Sequence, residues 1–179
     1  MNIKLASPGD AVALSHFYLR NEEHLLLWQP LREPGYHTKN NWKQRLTEWQ
    51  LEQDHGNSAY FIAQLSEESE IFATCYLTNI VRGVFQACHM GYAIDYRYEG
   101  KGYMRQLCQY VIQYAFKELK LNRIMANYMP NNLRSENLLT RLGFDREGLA
   151  KRYLKINGRW EDHVLTTLVN PENVLRLEQ

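Results

Sequence analysis

The hydrophobic positions of the first half of the chain recur with the helical period of about 3.6 residues. Trp42, Leu46 and Trp49 stand at i, i+4 and i+7, which predicts a helix over residues 38–54. Residues 7–10, Ser-Pro-Gly-Asp, predict an earlier helix start. They combine an N-cap serine, a proline at the first helical position and an acidic residue near the positive end of the helix dipole.

The period changes to two after the second predicted helix. Residues 59–63, 71–81 and 85–95 are rich in strand formers, and breaks in the pattern separate the three runs. Three consecutive strands with short connections predict an antiparallel meander. Residues 25–37, between the two predicted helices, show no period and are expected to be irregular.

Helical and strand patterns alternate in the second half of the chain, and Asn157-Gly158 is the strongest two-residue signal for a hairpin. This order predicts an α/β (α+β) fold with a mixed sheet. Without repeats or linkers, one domain over residues 1–179 is expected. The elements predicted here are a helix over 103–119, a strand over 122–129, a helix over 132–142 and strands over 144–156 and 160–169.

Composition narrows the class of protein. Hydrophobic residues make up 45% and charged residues 23%, which is typical of a globular domain, and no apolar run reaches the roughly 18 residues of a membrane span. No signal sequence is visible, so a cytoplasmic location is expected. The three cysteines form no C-x-x-C pair and the six histidines form no helical pair, so no metal is predicted. A net charge of +1 argues against broad nucleic-acid binding.

A glycine-bearing hexapeptide joins the strand that ends at Asp95 to the helix that starts at Tyr103. Its residues 97–102 read Arg-Tyr-Glu-Gly-Lys-Gly. Backbone N–H groups at such a helix start bind anions, and a phosphate group is the ligand this turn would suit. The spacing matches neither a P-loop nor a dinucleotide fingerprint. By itself, the hexapeptide fits a simple tight turn equally well.

A second segment favours the phosphate site over the simple tight turn. R-x-x-G-x-G at residues 97–102 and N-x-x-S-x-x-x-L-x-x-L-G-F at residues 132–144 together resemble the acetyl-CoA motifs of the GNAT acetyltransferases. More closely, I-V-R-G-V-F-Q-A-C-H-M-G-Y (80–92), R-I-M-A-N-Y-M-P-N-N (123–132) and W-E-D-H-V-L (160–165) look like the RimJ-type ribosomal-protein-alanine N-acetyltransferases. The resemblance covers about residues 28–169 and weakens at the front, where an initial strand is expected to be missing.

The resemblance implies a GNAT fold, with a central, mostly antiparallel mixed sheet whose fourth and fifth strands splay apart, flanked by helices. Acetyl-CoA would lie in that gap, with its pantetheine on the backbone of the fourth strand and its pyrophosphate at the following helix start. From its own segment, Asn132 is more simply an N-cap. The cofactor-binding residues implied are Tyr92, Ala93, Ile94, Arg97, Gly100, Lys101, Gly102, Tyr103, Met104 and Asn132.

The resemblance also implies direct attack of an amine on the thioester, for which the usual acid and base are absent. Asn127 stands where some relatives carry Glu, and Leu139 where many carry Tyr. An α-amino group, with a pKa of about 7.7 to 8, needs only a weak base. Ser135 is therefore expected to hydrogen-bond the departing sulfur and Asn127 to orient a water or the amine. Residues 28–30 lie in the region that is expected to face the acceptor, and a core position fits Trp28 at least as well.

The expected reaction is acetylation of the N-terminal alanine of a small-subunit ribosomal protein, with the assembling small subunit as a further partner. Neither a membrane nor sequence-specific nucleic-acid binding is expected. Two alternatives remain open from the sequence. One is a GNAT enzyme for a small amine such as a polyamine or an aminoglycoside, and the other is a non-catalytic ribosome assembly factor.

Overall fold

A seven-stranded sheet in the order β1-β2-β3-β4-β5-β7-β6 runs through the computed structural model, which describes residues 1–67 and 69–174. The strands are β1 (Asn2–Leu5), β2 (Ala59–Gln64), β3 (Ile71–Val81), β4 (Ala87–Ile94), β5 (Arg123–Met125), β6 (Asp145–Ile156) and β7 (Arg159–Val169). The helices are α1 (Ala11–Arg20), α2 (Glu22–Leu26), α3 (Lys39–Asp54), α4 (Tyr103–Lys117), α5 (Leu133–Arg141) and α6 (Pro171–Val174), with 3-10 turns at Pro8–Asp10 and Tyr96–Tyr98.

All neighbouring strands are antiparallel except β4 and β5, which are parallel. β4 pairs with β3 as far as Ile94, but it pairs with β5 only over Ala87, Cys88 and His89. Beyond this point β5 ends, and Tyr128 forms an isolated bridge to Val164 of β7. The two central strands therefore splay apart, and the GNAT-type sheet expected from the sequence is confirmed.

The sheet is covered on both faces, and β2 shows this most clearly because all six of its residues are buried. Its Phe61 packs into a cluster with Leu107 and Val111 of α4, whereas Ile62 packs on the other face against α1 and α3. Trp42 is 1% exposed in that second cluster, which is the helix face that the hydrophobic period predicted. Each such large side chain stabilises the fold by about 1.5 to 3 kcal/mol.

The expectation that an initial strand is missing was wrong. β1 pairs antiparallel with β2, with Lys4 opposite Ile62, and its Ile3 and Leu5 pack against the α4-side cluster. A four-residue strand shows too little alternation to be read from its own sequence. Its conformation comes from pairing with β2 at the edge of the sheet.

Other boundaries also differ from the sequence prediction. The segment expected to be irregular from residue 25 begins with the end of α2, whose Leu25 is buried. The strand expected over residues 122–129 keeps strand pairing only over β5. The hairpin is confirmed, with Asn157 and Gly158 both in the left-handed region (φ 43° and 80°), as a type I′ turn requires.

Within residues 1–67 and 69–174, none of the helices combines the length and apolar character needed to cross a bilayer. One sheet takes in strands from both halves of the chain. Residues 68 and 175–179 of the expected single domain, 1–179, lie outside the described residues.

Candidate active site

The gap between β4 and β5 exposes strand backbone that the sheet does not use. From Met90 to Ile94, β4 pairs with β3 on one edge only. The backbone groups on its other edge have no strand partner among the described residues. Unpaired strand amides and carbonyls suit an extended ligand with amide groups of its own. Tyr92, Ala93 and Ile94, three of the predicted cofactor residues, lie on this stretch.

A buried carboxylate fixes the loop that follows β4. Asp95 accepts hydrogen bonds from Arg20 Nε at 2.7 Å, from Arg97 Nε at 3.0 Å and from the Arg97 backbone N–H at 3.0 Å. Burial alone would raise the pKa of Asp95, but these bonds outweigh it and hold the pKa well below its usual range. Arg97 also pairs with Glu70 at 2.9 Å, so its side chain holds the loop in place.

Two glycines shape the end of this loop at the start of α4. Gly100 and Gly102 have φ values of 72° and 81°, and a Cβ on either would meet no atom within 4 Å. In the described part of the chain, the backbone N–H groups of Gly100, Lys101 and Gly102 have no acceptor. Lys101 Nζ donates to the Arg97 carbonyl at 2.9 Å, which closes the turn. These free donors at a helix N-terminus fit a pyrophosphate group.

Helix α5 lies across the gap from β4, and Asn132 forms its N-cap. Asn132 Oδ1 accepts a hydrogen bond from the Ser135 backbone N–H at 3.1 Å, so the N-cap interpretation describes its contact in this structure. Ser135 Oγ lies 2.5 Å from Tyr92 Oη. Arg134 Nη1 and Glu99 Oε1, 2.6 Å apart, form a second bridge between α5 and the loop after β4.

A cavity of about 910 Å³ extends from α5, on one face of the sheet, to α3 on the other. It brings together four predicted site residues, Tyr92, Asn127, Asn132 and Ser135. The other predicted residues do not line it. Ala93 is buried on the α1 and α3 side, Met104 is buried in the α4-side cluster, and Ile94, Arg97, Gly100, Lys101, Gly102 and Tyr103 follow along the end of β4 and the start of α4.

The predicted acceptor segment also reaches this cavity. Trp28, Gln29 and Pro30 line it, so a position facing the acceptor stays a prediction for them. Trp28 is only partly buried, so it is not a core residue. Its position follows from the chain after α2, which runs along the cavity before α3 begins.

The pair Tyr92 and Ser135 provides a neutral donor beside the gap. Burial raises the pKa of Tyr92 well above its usual value, although its hydrogen bond to Ser135 partly opposes this shift. The phenol therefore keeps its proton at neutral pH and can donate it to Ser135 Oγ. Ser135 can then direct its own O–H into the cavity. This hydrogen bond of the Tyr92 side chain was not predicted, because the resemblance implied a role only for the Tyr92 backbone.

Asn127 lies in a group of polar residues that the sequence did not predict. Its Oδ1 accepts a hydrogen bond from the Thr166 backbone N–H, and its Nδ2 donates to Tyr153 Oη, both at 3.3 Å. The ring of Tyr153 lies 5.6 Å from that of His163, which is 4% exposed and also lines the cavity. The only advance signal was the position of His163 within the W-E-D-H-V-L segment.

Stacked aromatic rings form the opposite wall of the cavity. Trp49 stacks on Tyr60 with ring centroids 4.8 Å apart, and Tyr60 stacks on Tyr76 at 5.6 Å. Tyr18 Oη lies 2.8 Å from Tyr60 Oη. The Tyr76 ring lies directly against the backbone of Gly91, where a Cβ would overlap the ring. Gly91 is therefore required by close approach.

The charged side chains on the cavity wall are mainly cationic. Arg32, Arg45 and Lys155 line it, against one carboxylate, Glu52, in the described residues. Burial first, and then the charges of Arg45 and Arg32, lower the pKa of His37 to about 4. The imidazole is therefore neutral at neutral pH mainly because it is partly buried, and the two arginine charges add to this effect. Among the residues that the structure describes, no group of three or more His, Cys, Asp or Glu side chains could hold a metal ion.

A splayed sheet, free N–H groups at a helix start and an adjoining cavity define a transferase of the GNAT type. A family model described as an acetyltransferase (GNAT) domain matches residues 2–145. The chain therefore belongs to the GNAT family and is an N-acetyltransferase. GNAT acetyltransferases use acetyl-CoA as the acetyl donor.

Named relatives make the resemblance to the RimJ type specific. The [ribosomal protein uS5]-alanine N-acetyltransferase of Escherichia coli (strain K12) is 40% identical over 170 residues, which are 95% of this chain and 88% of that protein. The solved ribosomal-protein-S5-alanine acetyltransferase from Vibrio fischeri is 41% identical with a TM-score of 0.92, covering 95% of this chain and 93% of that one. RimJ of Mycobacterium smegmatis, solved with CoA-disulfide, is 27% identical with a TM-score of 0.89, covering 95% and 82%.

Proposed function

We propose that this chain transfers an acetyl group from acetyl-CoA to the α-amino group of the N-terminal alanine of a small-subunit ribosomal protein. The observation that carries the proposal is the 40% identity, over 95% of the chain, to an enzyme named for this acceptor. The cavity beside the gap supports it, because a volume of about 910 Å³ that extends from α5 to α3 leaves room for a peptide. The assembling small subunit, where such a protein resides, is the proposed partner.

The unused edge of β4 and the start of α4 are the proposed site for acetyl-CoA. The free backbone of Tyr92, Ala93 and Ile94 would pair with amide groups of the pantetheine arm. The N–H groups from Gly100 to Met104 would hold the pyrophosphate. When bound, acetyl-CoA supplies an activated thioester that an amine can attack directly. Asn132 Nδ2, which is not needed for the N-cap contact, is free to reach the same ligand.

The acceptor must arrive as a neutral amine, and the cavity favours that form. Arg32, Arg45 and Lys155 disfavour a further positive charge nearby. The charges of Arg45 and Arg32 also add to burial in lowering the pKa of His37. An α-amine, whose pKa is only about 7.7 to 8, then needs little help to lose its proton. Asn127 is proposed to position the amine, Tyr153 to hold the Asn127 amide in place, and the proton to pass to solvent in the open cavity.

Ser135 and Tyr92 act at the other end of the reaction. The departing thiolate needs a hydrogen bond and then a proton as the carbon–sulfur bond breaks. Ser135 donates its O–H to the sulfur, while Tyr92 donates to Ser135 Oγ and compensates the charge that develops there. The oxyanion would be held by a backbone N–H near Ile94, on the free edge of β4.

The cavity charges also weigh against the small-amine alternative. A polyamine or an aminoglycoside carries several positive charges, and a site for it needs carboxylates. This cavity has three cationic side chains and one carboxylate among the described residues. Bringing a polycation into it would be repulsive over most of its length.

A panel of acceptors tests the proposal. The enzyme is incubated with acetyl-CoA and one of four acceptors, namely an alanine-initiated peptide, the same peptide with a blocked N-terminus and a lysine, a polyamine and an aminoglycoside. Mass spectrometry then locates the acetyl group. We expect acetylation at the alanine α-amine only. Turnover of the polyamine alone would contradict the proposal, and binding of acetyl-CoA without turnover of any acceptor would favour the assembly-factor alternative.

A further inference from the structure

Two arginine side chains of the cavity wall converge on one aromatic ring. The guanidinium carbon of Arg45 lies 4.0 Å from the centroid of the Tyr36 ring, and that of Arg32 lies 4.5 Å from it. Arg45 also lies 3.9 Å from the Trp42 ring. Stacking on aromatic faces holds a guanidinium group in a fixed orientation and leaves its N–H edges free for a ligand.

Neither arginine has an acidic partner in the described residues. Arg20, Arg97, Arg123 and Arg134 each pair with a carboxylate, whereas Arg32 and Arg45 pair with none. Arg45 donates to two backbone carbonyls, those of Asn41 and Tyr36, through Nε and Nη2. Arg45 Nη1 has no acceptor among the described residues. Two unneutralised cations therefore face one cavity, close to each other.

We propose that Arg32 and Arg45 form a carboxylate subsite that binds an acidic side chain a few residues after the acetylated alanine of the acceptor. This inference rests on the proposed function, since it places a peptide in the cavity with its α-amine near Asn127 and Ser135. The chain of the acceptor continues toward α3, where Tyr36 holds the two guanidinium groups. Specificity for the acceptor is thus set partly by an acidic residue downstream of its first residue.

The chemistry of the subsite matches a carboxylate better than other groups. Guanidinium N–H groups bind carboxylate oxygens through parallel charge-assisted hydrogen bonds. Burial is the main cause that lowers the pKa of His37 to about 4, and the charges of Arg45 and Arg32 add to it, in line with a positive field at the neighbouring cavity wall. Glu52 lies on the wall as well but forms no ion pair with either arginine, so it does not neutralise the subsite.

Matched peptides measure the effect. Short alanine-initiated peptides carry one glutamate at the second, third or fourth position, and each is compared with the glutamine peptide of the same sequence. We expect kcat/KM to be about fivefold or more higher for at least one glutamate peptide. The preference should shrink when the ionic strength rises from about 0.05 to about 0.5 M, because screening weakens the attraction.

Variants of the subsite identify the residues responsible. Arg32→Gln should bring the glutamate-to-glutamine ratio close to one, and Arg32→Glu should invert it. Arg32 is exposed and its described contact is the Tyr36 ring, so these variants should fold, which thermal unfolding checks. Lys151→Gln removes an exposed cation outside the cavity wall and should leave the ratio unchanged. Arg45→Gln is the second test of the pair.

The outcomes separate this inference from the function on which it rests. If all alanine peptides are acetylated at equal rates, or if the ratio survives both Arg32→Gln and Arg45→Gln, the carboxylate subsite is wrong and the proposed function stands. If no alanine peptide is acetylated, both fail. A glutamate preference that inverts in Arg32→Glu supports the subsite, because a purely structural role of Arg32 would not reverse a charge preference.

Discussion

Ser135 and Tyr92 share a hydrogen bond across the gap in the sheet, and this contact adds a second hydroxyl to the proposed proton donor. Leu139 of α5 stands where the resemblance implies a tyrosine acid in many relatives. A tyrosine from another element, Tyr92 of β4, lies 2.5 Å from Ser135 Oγ instead. A buried neutral phenol behind a serine can serve as a two-step donor.

Replacing Ser135 by alanine tests that donor. We expect kcat to fall by about 10- to 100-fold with little change in the affinity for acetyl-CoA, because the contact strengthens as charge develops on the sulfur. Steady-state kinetics and calorimetry make the measurement. Thr140→Ala, which removes an exposed hydroxyl from the same helix, is the control. A loss of acetyl-CoA affinity with unchanged kcat would make Ser135 a binding residue only.

Gly91 offers a second test at the scale of one residue. An alanine Cβ at this position would overlap the Tyr76 ring and displace the stack of Tyr76, Tyr60 and Trp49. We expect Gly91→Ala to lower the free energy of unfolding by about 1 to 3 kcal/mol, measured by urea denaturation. Gly148→Ala is the matched control because its Cβ would meet no atom within 4 Å. Equal stability of the two variants would show that the stack is not tightly packed on β4.

Among the secondary-structure elements, the sequence predicted most clearly the unit formed by β4, the loop after it and α4. Two glycines between a strand and a helix predicted a tight turn, and both glycines have a positive φ in the structure. The sequence did not predict the cluster in which Asp95 accepts hydrogen bonds from both Arg97 and Arg20, because Arg20 comes from α1, far away along the chain. Arg97 thus orders the loop, which leaves the backbone of the loop as the proposed anion-binding group.

The charge tolerance of this loop can be measured at Gly100. We expect Gly100→Asp to weaken acetyl-CoA binding by about 100-fold or more, because a carboxylate would stand beside the proposed pyrophosphate site. Gly100→Asn is the control, since asparagine has nearly the same shape and tolerates the left-handed φ of 72°. Isothermal titration calorimetry gives both affinities. Near wild-type binding by a folded Gly100→Asp variant would remove the loop from the site.

The same scale shows which elements local pattern can predict. α3 and the β6–β7 hairpin follow from a hydrophobic period and an Asn-Gly turn, and both are in the structure. β1 and α2 are only four and five residues long, so they carry little pattern of their own. Pairing with β2 and burial of Leu25 stabilise them instead. Short elements of this kind are decided by tertiary contacts.

For the molecule as a whole, the cavity is the feature that could not be predicted from the sequence. Its wall combines Arg32 and Arg45 with Asn127, Tyr153 and His163, residues that are far apart along the chain. No spacing rule joins such distant positions, and the total charge of +1 conceals a local excess of cations. The gap between β4 and β5, in contrast, was implied by the two motifs that flank it.

This local excess of cations bears on the choice of acceptor. Under the proposed function, the enzyme uses an α-amine because that amine is already partly neutral. An ε-amine of lysine, with a pKa near 10.4, is almost wholly charged at neutral pH. A cavity with three cations would raise the cost of admitting that charge, and Asn127 cannot remove it. The preference for an N-terminus should therefore appear directly in the rate and in its dependence on pH.

The most direct measurement is kcat/KM from about pH 6 to about pH 9 for two peptides, one with a free N-terminal alanine and one with a blocked N-terminus and a single lysine. For the alanine peptide, we expect a rate that rises with pH and levels off near the α-amine pKa of about 7.7 to 8, at least about 100-fold above the rate for the lysine peptide. Comparable rates for the two peptides, or a flat profile with the chemical step limiting, would contradict it.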